Sequence, residues 1–69
     1  METTINNTLR LHRKQKGLSQ QQVSEHLGFK SKDRISKWEN GLKLPNAVNL
    51  LRLAKLYEVN AEMLYPDFS

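Results

Sequence analysis

Apolar residues recur along this chain at helical rather than alternating spacing, and the patterns break at glycines and prolines. Ile5 and Leu9 stand one turn apart, with Thr3 or Thr4 available as a cap and Gly17 as a stop, so the spacing predicts a first helix over about residues 5–16. Ser19 with Gln22 three residues later forms a capping box. It opens a second helix over 20–27 that points Val23 and Leu27 inward and stops at Gly28. Ser31 is the best cap for a third helix over 32–40, in which Ile35 and Trp38 share the buried side and Gly41 follows the last turn. Pro45 forces a break, after which Asn46 caps a fourth helix carrying Leu50, Leu53, Ala54 and Tyr57. Asn60 caps a short fifth helix through Leu64, which Pro66 ends. No strand pattern, linker or internal repeat interrupts this series. The expected fold is all-α, a compact five-helix domain spanning residues 1–69 whose short loops force steep helix crossings.

A chain of 69 residues is below the size at which one core supplies comfortable stability. Either the helices pack efficiently or a second chain helps. The absence of cysteine removes disulfides and thiolate metal ligands, and His12 and His26 are too far apart in sequence for a local metal clip. No apolar run approaches the roughly 20 residues of a membrane span, and residues 1–7 have neither a basic start nor a hydrophobic stretch. The expectation is a soluble, cytoplasmic protein.

Charge placement says more than the net charge of +4. Lys30, Lys32, Arg34, Lys37 and Lys43 form one basic cluster around the third helix, and Arg10, Arg13, Lys14 and Lys16 form another in the first. Residues 58–69 carry Glu58, Glu62 and Asp67 and no cation. A polyanion would meet the first two-thirds of the chain, and the acidic end would face away or toward another protein. No glycine-rich phosphate loop, metal-ligand spacing or catalytic constellation accompanies these charges. Ser24, Glu25 and His26 are consecutive, and such side chains diverge on a helix. No enzyme, cofactor, metal or small-molecule ligand is expected.

The third helix divides into an anchoring and a reading side. Ile35 and Trp38 anchor it, Lys32, Asp33, Ser36 and Lys37 face outward, and Arg34 and Asn40 flank them. A major groove about 12 Å wide accepts such a helix. Lys32 and Lys37 can donate to guanine O6 and N7, Asp33 can accept from cytosine N4, and Ser36 can pair either way. Asp33 equally suits the positive end of the helix dipole, which needs no base. Trp38, one turn from Ile35, reads as core rather than as a stacking platform.

Arg13, GLSQ at 17–20, LG at 27–28, ISKWENG at 35–41 and Pro45 together resemble the Cro/C1-type (XRE, lambda-repressor-like) helix-turn-helix domains over about residues 5–65. The resemblance implies a sequence-specific regulator of transcription, a repressor that occupies promoter DNA as a homodimer on a palindromic operator. It assigns Lys32, Asp33 and Lys37 to bases. Gln20, Ser31, Arg34, Asn40 and Lys43 fall to the phosphate backbone, to which the cap Ser19 adds a further contact. Gln20 also braces the third helix, and Arg13 pairs with Glu39 in a structural salt bridge. This chain departs from the pattern in the turn at Gly28, Phe29 and Lys30, which is one residue longer than the commonest form and leaves the register of Lys30 and Lys32 open by one position. A protein-interaction module of antitoxin type is the competing reading, because Tyr57, Met63, Leu64, Tyr65 and Phe68 give the acidic end apolar character. Met63, Leu64, Tyr65 and Phe68 are the candidate residues for a dimer interface. An RNA-binding role would need exposed aromatics that the pattern does not supply.

Overall fold

A computed structural model describes residues 4–68. Five α-helices follow in order, α1 (Leu9–Gln15), α2 (Gln20–His26), α3 (Asp33–Glu39), α4 (Ala47–Tyr57) and α5 (Ala61–Leu64), with a single 3-10 turn at Pro66–Phe68. Among the described residues there is no strand. One core unites Leu9 of α1, Val23 and Leu27 at α2, Ile35 and Trp38 of α3, Leu53, Ala54 and Tyr57 of α4, and Leu64 and Tyr65 at the end of α5. Trp38 is indeed core, at 5% exposure.

Local signals account for most boundaries. At α2 the capping box is complete: Ser19 Oγ accepts from the Gln22 amide at 3.0 Å, and Gln22 Oε1 accepts from the Ser19 amide at 2.8 Å. Asn46 caps α4 by accepting from the Asn49 amide at 2.8 Å. Helices α1, α2 and α3 all close in the same way, with Gly17, Gly28 and Gly41 in the left-handed region. After α3, the Gly41 amide donates to Trp38 and that of Leu42 to Lys37, which satisfies carbonyls left open by the helix. Gly41 is constrained twice over. Its φ is +73°, and a Cβ there would lie 2.5 Å from the Ile5 carbonyl oxygen.

Helix α4 ends with the same geometry but without a glycine. Glu58 takes φ 58° and ψ 45°, while the amides of Glu58 and Val59 donate to Lys55 and Ala54. A side chain is disfavoured in this conformation. The Glu58 carboxylate is exposed and pairs with Lys16, whose hydrogen bond holds its pKa below the ordinary value. Exposed pairs of this kind contribute little. Relief of the backbone therefore outweighs loss of the pair, and Glu58→Gly should raise the midpoint of thermal unfolding by about 4 °C. An unchanged or lower midpoint by calorimetry would show that the left-handed Glu58 is not under strain.

The first helix starts later than its apolar spacing suggests. Residues 5–8 are not helical, because their backbone bonds go elsewhere: the Ile5 amide donates to the Gly41 carbonyl at 2.9 Å and that of Thr8 to the Leu64 carbonyl at 3.0 Å. Thr4 is exposed and lies outside any helix, and Thr3 falls outside the described residues. Asn7 does the capping, with Oδ1 accepting from the Leu9 amide at 3.1 Å. Its Nδ2 donates to the Trp38 carbonyl at 3.0 Å, so one side chain joins the start of α1 to the end of α3.

The third helix also starts one residue later, at Asp33. Ser31 is a weak cap, its Oγ standing 3.4 Å from the Asp33 amide, and Lys32 at the cap position offers no side-chain acceptor. At α5, Asn60 precedes the first turn without a side-chain capping bond.

Candidate nucleic-acid interface

The orientation of α3 is set by a buried carboxylate. Glu39 is near the end of the helix with its side chain 1% exposed, among donors from two other helices. Arg13 of α1 approaches with two nitrogens, Nε to Oε2 at 2.7 Å and Nη2 to Oε1 at 3.1 Å. Gln20 of α2 donates Nε2 to Oε1 at 3.1 Å, and Arg10 adds a longer contact at 3.4 Å. The remaining Arg13 nitrogen, Nη1, donates to the Leu18 carbonyl at 2.8 Å in the turn between α1 and α2. One carboxylate thus ties α3 to α1 and α2 through directional bonds.

Burial alone would raise the Glu39 carboxyl. The hydrogen bonds from Arg13 and Gln20 and the charge of Arg13 outweigh it and hold the pKa below the ordinary 4.5. The hydrogen bond to Glu39 in turn raises Arg13 above its ordinary value, against the opposing effect of burial. Tyr57 feels the same cluster. Its phenol is pushed well above its usual range by burial and then by the Glu39 charge, while burial pushes the Tyr65 phenol up to about 12. Both hydroxyls are buried without a hydrogen-bond partner and stay neutral at physiological pH.

With Ile35, Trp38 and Glu39 turned inward, about 100° per residue places Asp33, Lys37 and Asn40 together at the middle of the outward face. All three are exposed. Ser36 lies to one side, half-buried, where its Oγ accepts from Asn40 Nδ2 at 3.3 Å. Asn40 Oδ1 accepts from Arg10 Nη2 at 3.3 Å, which brings a cation of α1 to this edge. Ser36 and Asn40 therefore exchange the positions expected for them: Asn40 is central and Ser36 peripheral. Arg34 occupies the other edge, lining a surface groove with Lys37, Lys43, Asn46 and Asn49. Lys32 stands ahead of the helix rather than on its face, exposed like Lys30 and Ser31.

The long turn between α2 and α3 is organised from within. Ser24 of α2 is fully buried, and its hydroxyl donates to the Ser31 carbonyl. The Phe29 amide donates to the Ser24 carbonyl at 2.9 Å. This is the closure that Leu18 and Leu42 make after Gly17 and Gly41, and it turns Phe29 back so that its ring meets Trp38 edge-on, with centroids 5.9 Å apart. Ser19 is exposed at the start of α2, and Gln20 beside it faces Glu39.

The apolar C-terminal end needs correction. Leu64 is 0% exposed and Tyr65 6%, so both belong to the core: Leu64 cannot line a dimer interface without unfolding the end of the chain, and Tyr65 offers only the edge that reaches a surface depression. Met63 and Phe68 remain exposed, at 50% and 72%. Phe68 borders a shallow apolar depression with Leu44, Pro45 and Leu50, whose floor includes Tyr65. Leu44, in the loop before α4, is a contributor that the helical periodicity does not reveal, because it belongs to no helical pattern. Asn7 and Arg10 are likewise visible only in three dimensions, since their partners lie some thirty residues away.

Among the described residues no group of His, Cys, Asp and Glu could hold a metal ion, and no helix is long and apolar enough to cross a membrane. A search of curated proteins returned no match. The family model described as Helix-turn-helix, of the Cro/C1 (XRE) type with its lambda-repressor-like fold, matches residues 9–64, from the first residue of α1 to the last of α5. That span covers most of the chain and both helices of the α2–α3 pair, and the chain belongs to the Cro/C1-type helix-turn-helix family of DNA-binding transcription regulators.

Proposed function

We propose that this protein is a cytoplasmic repressor, acting as a single helix-turn-helix unit that inserts α3 into the major groove and binds a palindromic operator as a homodimer. The observation that carries this reading is the outward face of α3. Asp33, Lys37 and Asn40 are exposed side by side on a helix held by the buried Glu39, with cations along its edges. A rigidly held reading face supports discrimination, since a mobile one would lose part of each contact to ordering. In this reading Lys37 and Asp33 meet base edges from the helix, Lys32 reaches them from the turn, and Ser36 has a lesser part. Arg34, Lys43, Asn40, Ser31, Ser19 and Gln20 meet phosphates, although Gln20 and Asn40 also serve contacts within the fold.

Dimerisation is assigned to Met63, Phe68 and the apolar depression at Leu44, Pro45 and Leu50, with Tyr65 as its floor and without the buried Leu64. A symmetric dimer would present two copies of α3 about 34 Å apart, one turn of duplex.

Lys37→Ala tests the reading role. It should cost about 1 kcal/mol in each half-site, roughly thirtyfold for the dimer on the preferred sequence and much less on random duplex; the cost is at the low end because a lysine lacks the two-pronged geometry of arginine. Fluorescence anisotropy with both duplexes measures the ratio. An equal loss on both would make Lys37 a phosphate contact.

A further inference from the structure

The long turn and the recognition helix are joined by a stack of three side chains. Trp38 is core, Phe29 packs on it edge-to-face at 5.9 Å and 72°, and the Arg34 guanidinium lies over the Phe29 ring, 4.5 Å from its centroid. Phe29 is half-buried and Arg34 exposed, so the stack runs from the core to the surface and ends in a cation. Arg34 has no carboxylate partner to compete for it: the ion pairs of the described residues are Arg10 and Arg13 with Glu39, and Lys16 with Glu58. Its guanidinium is restrained by the ring while its N–H donors stay free at the edge of the groove it shares with Lys37 and Lys43.

We infer that Phe29 is a positioning residue, holding the Arg34 guanidinium ready for a DNA phosphate at the edge of the recognition helix. The inference rests on the DNA-binding reading of α3 and deepens it. A free arginine loses rotamer freedom on grasping a phosphate, whereas one already stacked loses less, so the ring adds affinity without touching DNA.

The test is a double-mutant cycle on binding to one fixed duplex across a salt series, with thermal melts confirming that each variant folds. Arg34→Ala should weaken binding and reduce the salt slope by about one unit per protomer, about two for the dimer, as loss of one phosphate contact in each half-site does. Phe29→Leu should weaken binding roughly two- to fivefold in the wild-type background and have no effect once Arg34 is alanine, and Phe29→Tyr should bind as the wild type does. Equal losses from Phe29→Leu with and without Arg34, or no loss at all, would overturn the positioning role while leaving DNA binding intact. Should Phe29→Leu fail to fold, Arg34→Lys answers the same question. It keeps the charge but not the planar stack, so weaker binding supports the role and unchanged binding overturns it. Failure of the wild type to bind any duplex would instead remove the DNA-binding reading, and this inference with it.

Discussion

Glu39→Ala should destabilise the fold by about 3–5 kcal/mol, the range for removing one partner of a buried ion pair. The side chain is 1% exposed and receives Arg13 twice, Gln20 and Arg10, so its loss leaves the nine-tenths-buried Arg13 without its counter-charge. Small domains are stable by only about 5–15 kcal/mol, and one of this size lies toward the lower end. Thermal unfolding should drop by more than about 12 °C, and the variant will be partly unfolded at physiological temperature. Replacing both partners, Arg13→Met with Glu39→Leu, should recover much of the loss because no buried charge remains. A Glu39→Ala variant that melts within a few degrees of the wild type would mean that the pair does not hold α3.

The same carboxylate makes stability depend on acid. The folded-state pKa of Glu39 lies below the ordinary 4.5 of the unfolded chain, so as pH falls the unfolded form takes up the proton first. The contribution of Glu39 is complete above that ordinary value and is lost as pH drops through the depressed one. Arg13, shifted upward by its hydrogen bond to Glu39, titrates far outside this window. Denaturant melts below about pH 4.5 should therefore show falling stability in the wild type and a flatter profile in Glu39→Gln.

The second large effect concerns salt. Lys30, Lys32, Arg34, Lys37 and Lys43 are exposed around α3, and Arg10 is brought to its edge through Asn40. A dimer that engages half or more of these cations makes about 6–10 phosphate contacts, for which affinity falls by about 10³–10⁵ between 50 and 200 mM salt. Binding isotherms across that range should give a linear log–log plot of matching slope. An apolar protein interface, as an antitoxin-like role would use, has no such dependence. A nearly flat plot would move the binding role from the basic face of α3 to the apolar depression beside Phe68.

What was legible in the sequence divides by the range of the interactions. Boundaries set within one turn of chain are visible in it: the Ser19–Gln22 box, the Asn46 cap and the glycines after α1, α2 and α3 all stand where local chemistry places them. The start of α1 was not visible, because Ile5 and Thr8 give their backbone donors to Gly41 and Leu64, far along the chain. Leu64 and Tyr65 looked like surface because a four-residue helix has too few turns to display a buried side. The candidate site divides in the same way. Lys37 and Asp33 can be placed outward by counting from Ile35 and Trp38, but Asn40 and Ser36 exchange places because Glu39 is also turned inward, by partners on α1 and α2 that the spacing does not show. The link from Arg13 to Glu39 came from family resemblance rather than spacing, and the stack of Trp38, Phe29 and Arg34 leaves no periodic trace.

Whether α3 reads double-stranded DNA in a symmetric pair is decided by selecting bound sequences from a random duplex pool at physiological salt. Such a pool should enrich one short motif repeated in inverted orientation, with half-site centres about 34 Å or some 10 base pairs apart. A selected pool that stays random, or that enriches a single motif with no inverted repeat, would contradict that reading.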